Sequence, residues 1–201
     1  MKIYFVVPDL YNLTRTCGRL ASVASDQSLW RNVDTTSNPF SIAEFRKLLK
    51  YFHEKTTKIS IGGFLNQRNR MHHESVSPAI LENISERCPN LTKFEMKHCF
   101  IDASKIKVSL FPPSLKHLGL VDCEVINVPA KESYFLNMYT LLPNLESLDL
   151  SNSPWLPNHS LMAICKCEKL SKVSFRGCYR MGECFAYTAM ATRFGFRKVN
   201  W

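Results

Sequence analysis

The sequence has no long hydrophobic run. Its first apolar stretch, residues 3–7, is far shorter than the roughly 20 residues of a membrane span and shorter than the apolar part of a secretory signal. With no such segment in the sequence, we expect no membrane partner. We also expect the eight cysteines to be reduced thiols, in a chain that is cytoplasmic, nuclear or both.

Motifs for catalysis are also missing. The chain has no phosphate-binding glycine loop, no G-x-S-x-G sequence and no carboxylate pair spaced for acid and base chemistry. Cys165 and Cys167 form the only close cysteine pair, but they fall on a predicted helix, where residues two apart point away from each other. His72 and His73 have no acidic or thiol partner at ligand spacing. We therefore expect no catalytic residue, no cofactor and no metal, which favours a binding protein over an enzyme.

Positively charged residues are in excess. The chain carries 26 lysines and arginines against 17 aspartates and glutamates, a formal net charge of +9. This balance suits an acidic partner and keeps a nucleic-acid scaffold as an alternative. The basic residues are scattered, however, and no row of exposed aromatics offers a stacking platform, so a nucleic-acid partner is not expected.

The sequence does contain a repeated nine-residue pattern, clearest in residues 91–99. Apolar residues occupy its first, fourth and sixth positions, and a small residue occupies the ninth. The copies are Leu91, Phe94, Met96 and Cys99; Leu115, Leu118, Leu120 and Cys123; Leu145, Leu148, Leu150 and Ser153; and Leu170, Val173, Phe175 and Cys178. The pattern fits the strand template of a leucine-rich repeat, in which those positions point into a shared core and the ninth turns the chain off the strand.

The spacing of the copies agrees with this template. Their starts are 24, 30 and 25 residues apart, and Phe196, Val199 and Trp201 restart the frame after 26 more. Helices are predicted between the strands at 133–142, 159–167 and 182–193, and a turn or 3₁₀ helix at 111–113. The fold class is α/β, a leucine-rich-repeat solenoid with parallel strands on its concave face and helices on its convex face. Residues 57–201 should hold about five to six repeats, the last incomplete, and we expect the array to continue beyond residue 201 because no polar cap follows the last repeat.

The first 56 residues differ from the repeats. Apolar residues at helical spacing predict one amphipathic helix over residues 9–24, broken by the polar residues 25–28. Residues 35–56 are predicted to be a linker followed by a capping helix. Ser41 and Glu44 form a capping-box pattern at the start of that helix, and Phe45 and Leu48 lie on its buried face.

Residues 1–34 resemble the second half of an F-box. The match rests on Pro8, Asp9, Cys17, Arg19, Asp26, Leu29 and Trp30. Leu20 stands where that family has tryptophan, and the opening helix of the family has no counterpart. A partial F-box followed by a linker helix and repeats resembles the F-box/leucine-rich-repeat family, whose members are substrate receptors of SCF-type ubiquitin ligases. The resemblance implies binding to the Skp adaptor, and through it to a cullin, by Leu10, Leu13, Cys17, Leu20, Leu29 and Trp30.

The repeats predict a second binding surface. Side chains alternate along a strand, so the third, fifth and seventh positions project onto the concave face. The candidate substrate-binding residues there are Lys93, Glu95, Lys97, His117, Val121, Asp149, Lys172 and Arg176. Gly119 is expected to leave room for a ligand. Basic residues in the first and last strands predict a protein substrate with an acidic or phosphorylated segment, bound mainly by Lys172 and Arg176. The alternative is that these charges are only solvated and the partner binds elsewhere.

Two further functions stay open at this level. Without the first F-box helix, the polypeptide could be a repeat-only binding module, or a shortened form that binds substrate without recruiting the ligase. The other is the nucleic-acid scaffold, for which the affinity for nucleic acid should fall steeply with salt.

Overall fold

A computed structural model of the chain describes residues 7–63, 74–128 and 132–178, together with the backbone of residues 198–200. The histidine pair at 72 and 73, with most of the polar loop around it, and the predicted helix at 182–193 lie outside these residues. In the part of the chain described, no helix has both the length and the apolar character needed to span a membrane.

Helices and strands alternate along most of the chain. The α-helices are α1 (Val7–Leu13), α2 (Gly18–Ala24), α3 (Ile42–Leu48), α4 (Pro78–Arg87), α5 (Met138–Leu141) and α6 (Ser160–Ile164). The strands are β1 (Asn32–Asp34), β2 (Lys58–Gly62), β3 (Lys93–Lys97), β4 (Phe100–Asp102), β5 (His117–Val121), β6 (Glu124–Ile126), β7 (Ser147–Asp149), β8 (Lys172–Ser174) and β9 (Lys198–Asn200). Short 3₁₀ helices cover Gln27–Trp30, Leu49–Tyr51 and Val108–Leu110.

Seven strands form one parallel sheet in the order β1-β2-β3-β5-β7-β8-β9, and β4 and β6 form a second, two-stranded parallel sheet. Each strand of the larger sheet follows its neighbour in chain order. Parallel neighbours need a crossover segment between them, and here each repeat supplies one. This is the architecture of a leucine-rich-repeat array, so the predicted α/β fold class is confirmed. The register places Val199 opposite Val173, as the spacing of the last frame predicts.

The sheet begins earlier than the repeat pattern indicates. β1 pairs in parallel with β2, with Asn32 opposite Lys58. The Arg31 carbonyl accepts hydrogen bonds from the amides of Thr57 (2.9 Å) and Lys58 (3.3 Å), and the Thr57 carbonyl repeats this contact with the next strand. The hydrogen-bonded ladder therefore connects the segment that resembles an F-box to the first repeat. The limits at residues 34 and 56 remain a proposed division of the chain into domains.

The core follows the nine-residue pattern closely. Every residue at the first, fourth and sixth positions of the four clear copies is at most 3% exposed. The same core extends without interruption to Val7, Leu10 and Trp30 at one end and to Cys178 at the other. Burial of these side chains away from water supplies most of the stabilisation of such an array, because each repeat buries its apolar side against its neighbours.

Each of the four clear strands ends in the same turn. The eighth residue adopts a left-handed backbone conformation, with φ between 52° and 75° in His98, Asp122, Asn152 and Gly177. Glycine, asparagine, aspartate and histidine are the residue types that tolerate this conformation best. The turn brings the ninth side chain back toward the preceding repeat, where it donates a hydrogen bond to a strand carbonyl. The contacts are Cys99 to Ile61 (3.7 Å), Cys123 to Met96 (3.4 Å), Ser153 to Leu120 (3.2 Å) and Cys178 to Leu150 (2.9 Å).

The single helix predicted over residues 9–24 is wrong, because two helices occupy this segment. The hydroxyls of Thr14 and Thr16 donate to the carbonyls of Tyr11 and Leu13, at 2.6 and 2.8 Å. They thereby bind backbone carbonyl groups at the end of α1. Cys17 then adopts an extended conformation before α2 begins. Threonine hydroxyls that bond to nearby carbonyls favour a turn over continuation of the helix.

The other local predictions are partly confirmed and partly wrong. The capping box is confirmed: the Glu44 amide donates to Ser41 Oγ (3.3 Å), and the Ser41 amide donates to Glu44 Oε2 (2.9 Å). The element predicted at 111–113 is a turn, in which the Leu115 amide donates to the Pro112 carbonyl at 3.2 Å, and the 3₁₀ helix lies just before it, at Val108–Leu110. Helices α5 and α6 are shorter than the predicted 133–142 and 159–167. Ser77 precedes α4, but its hydroxyl makes no capping hydrogen bond.

We predict that Trp30 stabilises the junction between the N-terminal helices and the repeats. Its indole is fully buried, donates to the Ala24 carbonyl at 2.7 Å and stacks on Tyr51 with ring centroids 4.5 Å apart. Trp30→Ala should lower the free energy of unfolding by about 3–5 kcal/mol in urea titrations. Trp30→Phe should cost less, because it keeps much of the packing. Met162→Ala is the control, because Met162 is 62% exposed and its loss should change stability by less than about 0.5 kcal/mol. Equal stability of Trp30→Ala and the control would contradict this role.

Candidate protein-binding surfaces

Three rows of side chains cross the concave face of the sheet. They are defined by register, since the buried residues of each strand alternate with outward ones. The amino-terminal row contains Lys58, Lys93, His117, Ser147 and Lys172; the middle row contains Asp34, Ser60, Glu95, Gly119, Asp149 and Ser174; and the carboxy-terminal row contains Lys97, Val121, Ser151 and Arg176. At the two edges of the sheet the register continues, with Asn32 opposite Lys58 and Lys198 opposite Lys172. The sheet therefore brings the eight predicted substrate-binding residues onto one face.

Glu95 lies at the centre of a polar network on this face. Its Oε1 atom accepts from His117 Nε2 and from Lys93 Nζ, both at 3.0 Å. Its Oε2 atom accepts from the Ser60 hydroxyl at 3.3 Å and lies 3.7 Å from Lys97 Nζ. Four groups from three neighbouring strands thus meet on one carboxylate.

The same contacts set the charge of Glu95. The hydrogen bond from His117, followed by the contacts with Lys93 and Lys97, lowers the pKa of Glu95 from its usual 4.5 to about 2, against the opposing effect of burial. A carboxylate that accepts several donors holds its proton weakly because the charged form is the one they stabilise. Glu95 is therefore ionised throughout the physiological range and neutralises much of the charge of its two lysine neighbours.

The room expected beside Gly119 is already filled. A β-carbon on Gly119 would lie 2.8 Å from Cγ of Glu95, so the glycine lets the Glu95 side chain lie across β5. This corrects the expectation of space for a ligand at this position. The glycine therefore makes room for the Glu95 side chain rather than for a ligand.

Beyond His117 the surface becomes shallow. A cavity of about 160 Å³ is lined by side chains of β5, β7 and β8, including His117, Ser147, Asp149 and Lys172. His117 Nδ1 lies 3.1 Å from the Ser147 hydroxyl, which fixes the imidazole at one wall. Asp149 Oδ1 accepts from the amide and the hydroxyl of Ser151, at 3.0 and 2.6 Å, which places its charge in a local turn.

The cations that lie away from Glu95 are differently placed from Lys93 and Lys97. Lys172 and Arg176 are exposed, and neither forms an ion pair with any residue that the structure describes. Lys58 has the same properties and stands opposite Lys93 in the register, yet sequence reasoning did not select it. The strand of residues 58–62 matches the repeat pattern poorly. Its only signal was a lysine one residue before the inward Ile59, as Lys93 precedes Phe94.

The predicted adaptor-binding residues do not share one surface. Leu10 and Trp30 are 2% and 0% exposed, so they are core residues and cannot contact a partner directly in this structure. Leu13 and Leu29 are half-buried, whereas Cys17 is exposed and Leu20 is 41% exposed. Val23, which is not among the predicted adaptor contacts, is 59% exposed and lies three residues after Leu20 on the same side of α2.

The close cysteine pair predicted from the sequence does not lie on a helix. Cys165 and Cys167 follow the end of α6 at Ile164, which corrects their predicted position on a helix. Burial raises the pKa of both thiols, that of Cys167 to about 11, so both are protonated at neutral pH. Within the described ranges, no group of three or more histidine, cysteine, aspartate or glutamate side chains is placed to hold a metal ion.

We predict that Glu95 makes stability depend on acid pH. A folded-state pKa below the unfolded value means that the unfolded chain binds the proton more tightly. The carboxylate therefore contributes stability above about pH 4.5, and this contribution is lost as the pH falls toward about 2. Glu95→Gln should lower the free energy of unfolding at neutral pH by on the order of 2 kcal/mol. It should also flatten the loss of stability between pH 5 and 3, measured by urea titration at several pH values.

Glu86→Gln is the matched control for this measurement, because Glu86 is exposed on α4. It should leave the pH profile close to that of the unmodified chain. A Glu95→Gln profile as steep as that of the control would show that the network does not stabilise the folded state.

Comparison with known proteins gives relatives of one kind. No family model matches the chain. The chain is 26% identical over 181 residues to F-box/LRR-repeat protein 12 from both Mus musculus and Homo sapiens, and 25% identical to the protein of that name from Bos taurus. Each match covers 90% of this chain and 53% of the relative, so the chain spans about half the length of the curated relatives it matches.

Among solved structures, a tropomodulin C-terminal domain from Caenorhabditis elegans matches with a TM-score of 0.46 and 16% identity, over 77% of this chain and 96% of that chain. The motifs that resemble an F-box/leucine-rich-repeat protein favour the family member numbered twelve, and the three sequence matches confirm that resemblance. Together with the repeat array observed directly in the parallel sheet, these matches make the chain similar to F-box/LRR-repeat proteins over 90% of its length.

Proposed function

We propose that the chain is a substrate-recognition subunit of an SCF-type ubiquitin ligase. On this proposal the N-terminal helices bind the Skp adaptor, and through it a cullin, while the concave face of the repeats binds a protein substrate. The observation that carries the proposal is an exposed apolar face on α2, within the segment that resembles an F-box, joined to a leucine-rich-repeat sheet. Sequence similarity to three F-box/LRR-repeat proteins over 90% of the chain supports it.

The adaptor surface is assigned to α2. Leu20 and Val23 expose 41% and 59% of their surface, which is unusual for large apolar residues in a chain whose other leucines and valines are mostly buried. Exposed apolar side chains that cluster on one helix face mark an interaction site. Cys17 extends this surface, and the half-buried Leu13 and Leu29 border it. Leu10 and Trp30 contribute indirectly, because they are buried and hold the two short helices on the repeat core.

The substrate surface is assigned to the concave face, with Lys172 and Arg176 as two of the exposed cations that form no ion pair with the residues that the structure describes. An acidic or phosphorylated segment would form charge-assisted hydrogen bonds with them. In this role the chain performs no chemistry of its own. It raises the rate of ubiquitin transfer by holding the substrate close to the conjugating enzyme, which is a proximity effect. We propose a cytoplasmic or nuclear location, where the seven free thiols among the described residues would stay reduced.

A repeat-only binding module is the second candidate. It is favoured by the burial of Leu10 and Trp30, since two of the six predicted adaptor contacts are thereby removed. In that case the chain would bind substrate without recruiting the ligase.

Adaptor binding separates the two functions. We expect the Skp adaptor to co-purify with the tagged chain in near-equal amounts after co-expression. The double variant Leu20→Asp and Val23→Asp should reduce the recovered adaptor about tenfold or more, because it places charge in the apolar contact. Met162→Asp is the matched control, since Met162 is also exposed but lies on α6. No adaptor recovered with the unmodified chain, or equal recovery with both variants, would favour the repeat-only module.

A further inference from the structure

A line of basic side chains crosses the strands at their amino-terminal ends. The register places Lys58 opposite Lys93, Lys93 opposite His117, His117 opposite Ser147, and Ser147 opposite Lys172. We call Lys58, Lys93, His117 and Lys172 the basic row. Neighbouring strands lie about 4.8 Å apart, so Lys58 and Lys172 are separated by four strand steps, or roughly 19 Å.

The charges of this face are unequally satisfied. The three carboxylates of the middle row have donors from this chain: Asp34 binds Thr36, Asp149 binds Ser151, and Glu95 binds the network described above. Lys93 is held by Glu95 at 3.0 Å. In contrast, Lys58 and Lys172 are exposed and form no ion pair with the residues that the structure describes. The two ends of the basic row are therefore the places where an anion would gain a contact without breaking one.

The middle of the row is low enough for a chain to cross it. Ser147, with its small side chain, stands between His117 and Lys172 in the register, and the cavity of about 160 Å³ opens beside it. Serines also occupy the neighbouring positions 174 and 151, whose hydroxyls lie 2.9 Å apart. Small hydroxyl side chains offer donors and acceptors to a backbone that lies over them.

We propose that the basic row binds an extended acidic segment of a protein partner, which crosses the strands and places two anionic side chains, about five to six residues apart, on Lys58 and Lys172. The spacing follows from about 19 Å divided by roughly 3.4 Å per extended residue. The inference rests on the proposed function, because it specifies the substrate that the concave face takes. It also differs from the contact predicted from the sequence, Lys172 with Arg176, which runs along one strand.

Defined peptides test the path and the spacing. The probes are two fluorescein-labelled peptides of equal composition, one with two glutamate pairs separated by four glycine and serine residues and one with all four glutamates contiguous. Fluorescence anisotropy with the full chain should show the spaced peptide binding at least about tenfold more tightly, since only it reaches both lysines. A version with phosphoserine in place of glutamate shows whether carboxylate or phosphate is the preferred anion.

Charge reversal identifies the residues. Lys58→Glu and Lys172→Glu should each weaken the spaced peptide about tenfold or more. Lys107→Glu is the matched control, because Lys107 is exposed and lies outside the sheet, just before the 3₁₀ helix Val108–Leu110. Arg176→Glu should weaken binding less than Lys58→Glu. Circular dichroism spectra equal to that of the unmodified chain would establish that each variant is folded.

Three outcomes would overturn the inference: equal affinity of the two peptides, a loss in Lys58→Glu no larger than in Lys107→Glu, or preferential binding of a labelled single-stranded RNA oligonucleotide that displaces the spaced peptide. Adaptor co-purification is measured on the same variants. Recovery of the adaptor with Lys58→Glu and Lys172→Glu alongside loss of peptide binding supports both proposals. Peptide binding without adaptor recovery would support binding by the basic row and contradict the proposed ligase role.

Discussion

The hydrogen bond from the ninth side chain of each repeat to a carbonyl of the repeat before it is the constraint on which the array depends. It needs two things at once: a left-handed eighth residue that turns the chain, and a small buried donor that reaches back. Cys99, Cys123, Ser153 and Cys178 all meet this condition at the same place in the register. The donor holds the end of each strand against its neighbour, in the same register that the backbone ladder gives to the concave face. Serine and cysteine are interchangeable here since each supplies one donor of similar size, and for the same reason the buried thiols are structural. Burial raises the pKa of Cys123 and Cys178, which keeps both as donors.

The repeat strands could be predicted because the information for them is local. Positions one, four, six and nine of each copy lie within nine residues, and each chooses core or turn by its own chemistry. β1 could not be found in this way, because residues 32–34 carry one apolar side chain and become a strand only by pairing with β2. The break between α1 and α2 was missed for a related reason. Apolar residues keep their helical spacing across the break. The helix nevertheless ends there because the hydroxyls of Thr14 and Thr16 donate to backbone carbonyls.

The binding face shows the same division between local and cross-strand information. Alternation along the strands predicted which residues would share that face. It could not predict which of their charges would be neutralised, because Glu95 meets His117 and Ser60 from strands 22 and 35 residues away in sequence. Gly119 is an example of the difference. From the sequence, a residue without a side chain predicts space for a ligand, whereas in the structure the Glu95 side chain lies over it. Lys58 was missed for the converse reason, because its strand matches the repeat pattern poorly although its register is unambiguous.

The Glu95 network also explains why the central cations of the face are paired, whereas Lys58 and Lys172 form no ion pair with the residues that the structure describes. A carboxylate with several donors stabilises the folded sheet and, by the same contacts, removes the charges of Lys93 and Lys97 from competition for a ligand. The central lysines thus contribute to the stability of the sheet, while Lys58 and Lys172, at the margins of the network, form no ion pair with the described residues. An anion that bound at the centre would have to displace an ion pair already made, whereas one at the margins displaces only water. A partner that exploits both margins must be long enough to span the satisfied centre, so the internal network selects for an extended segment over a single anionic group.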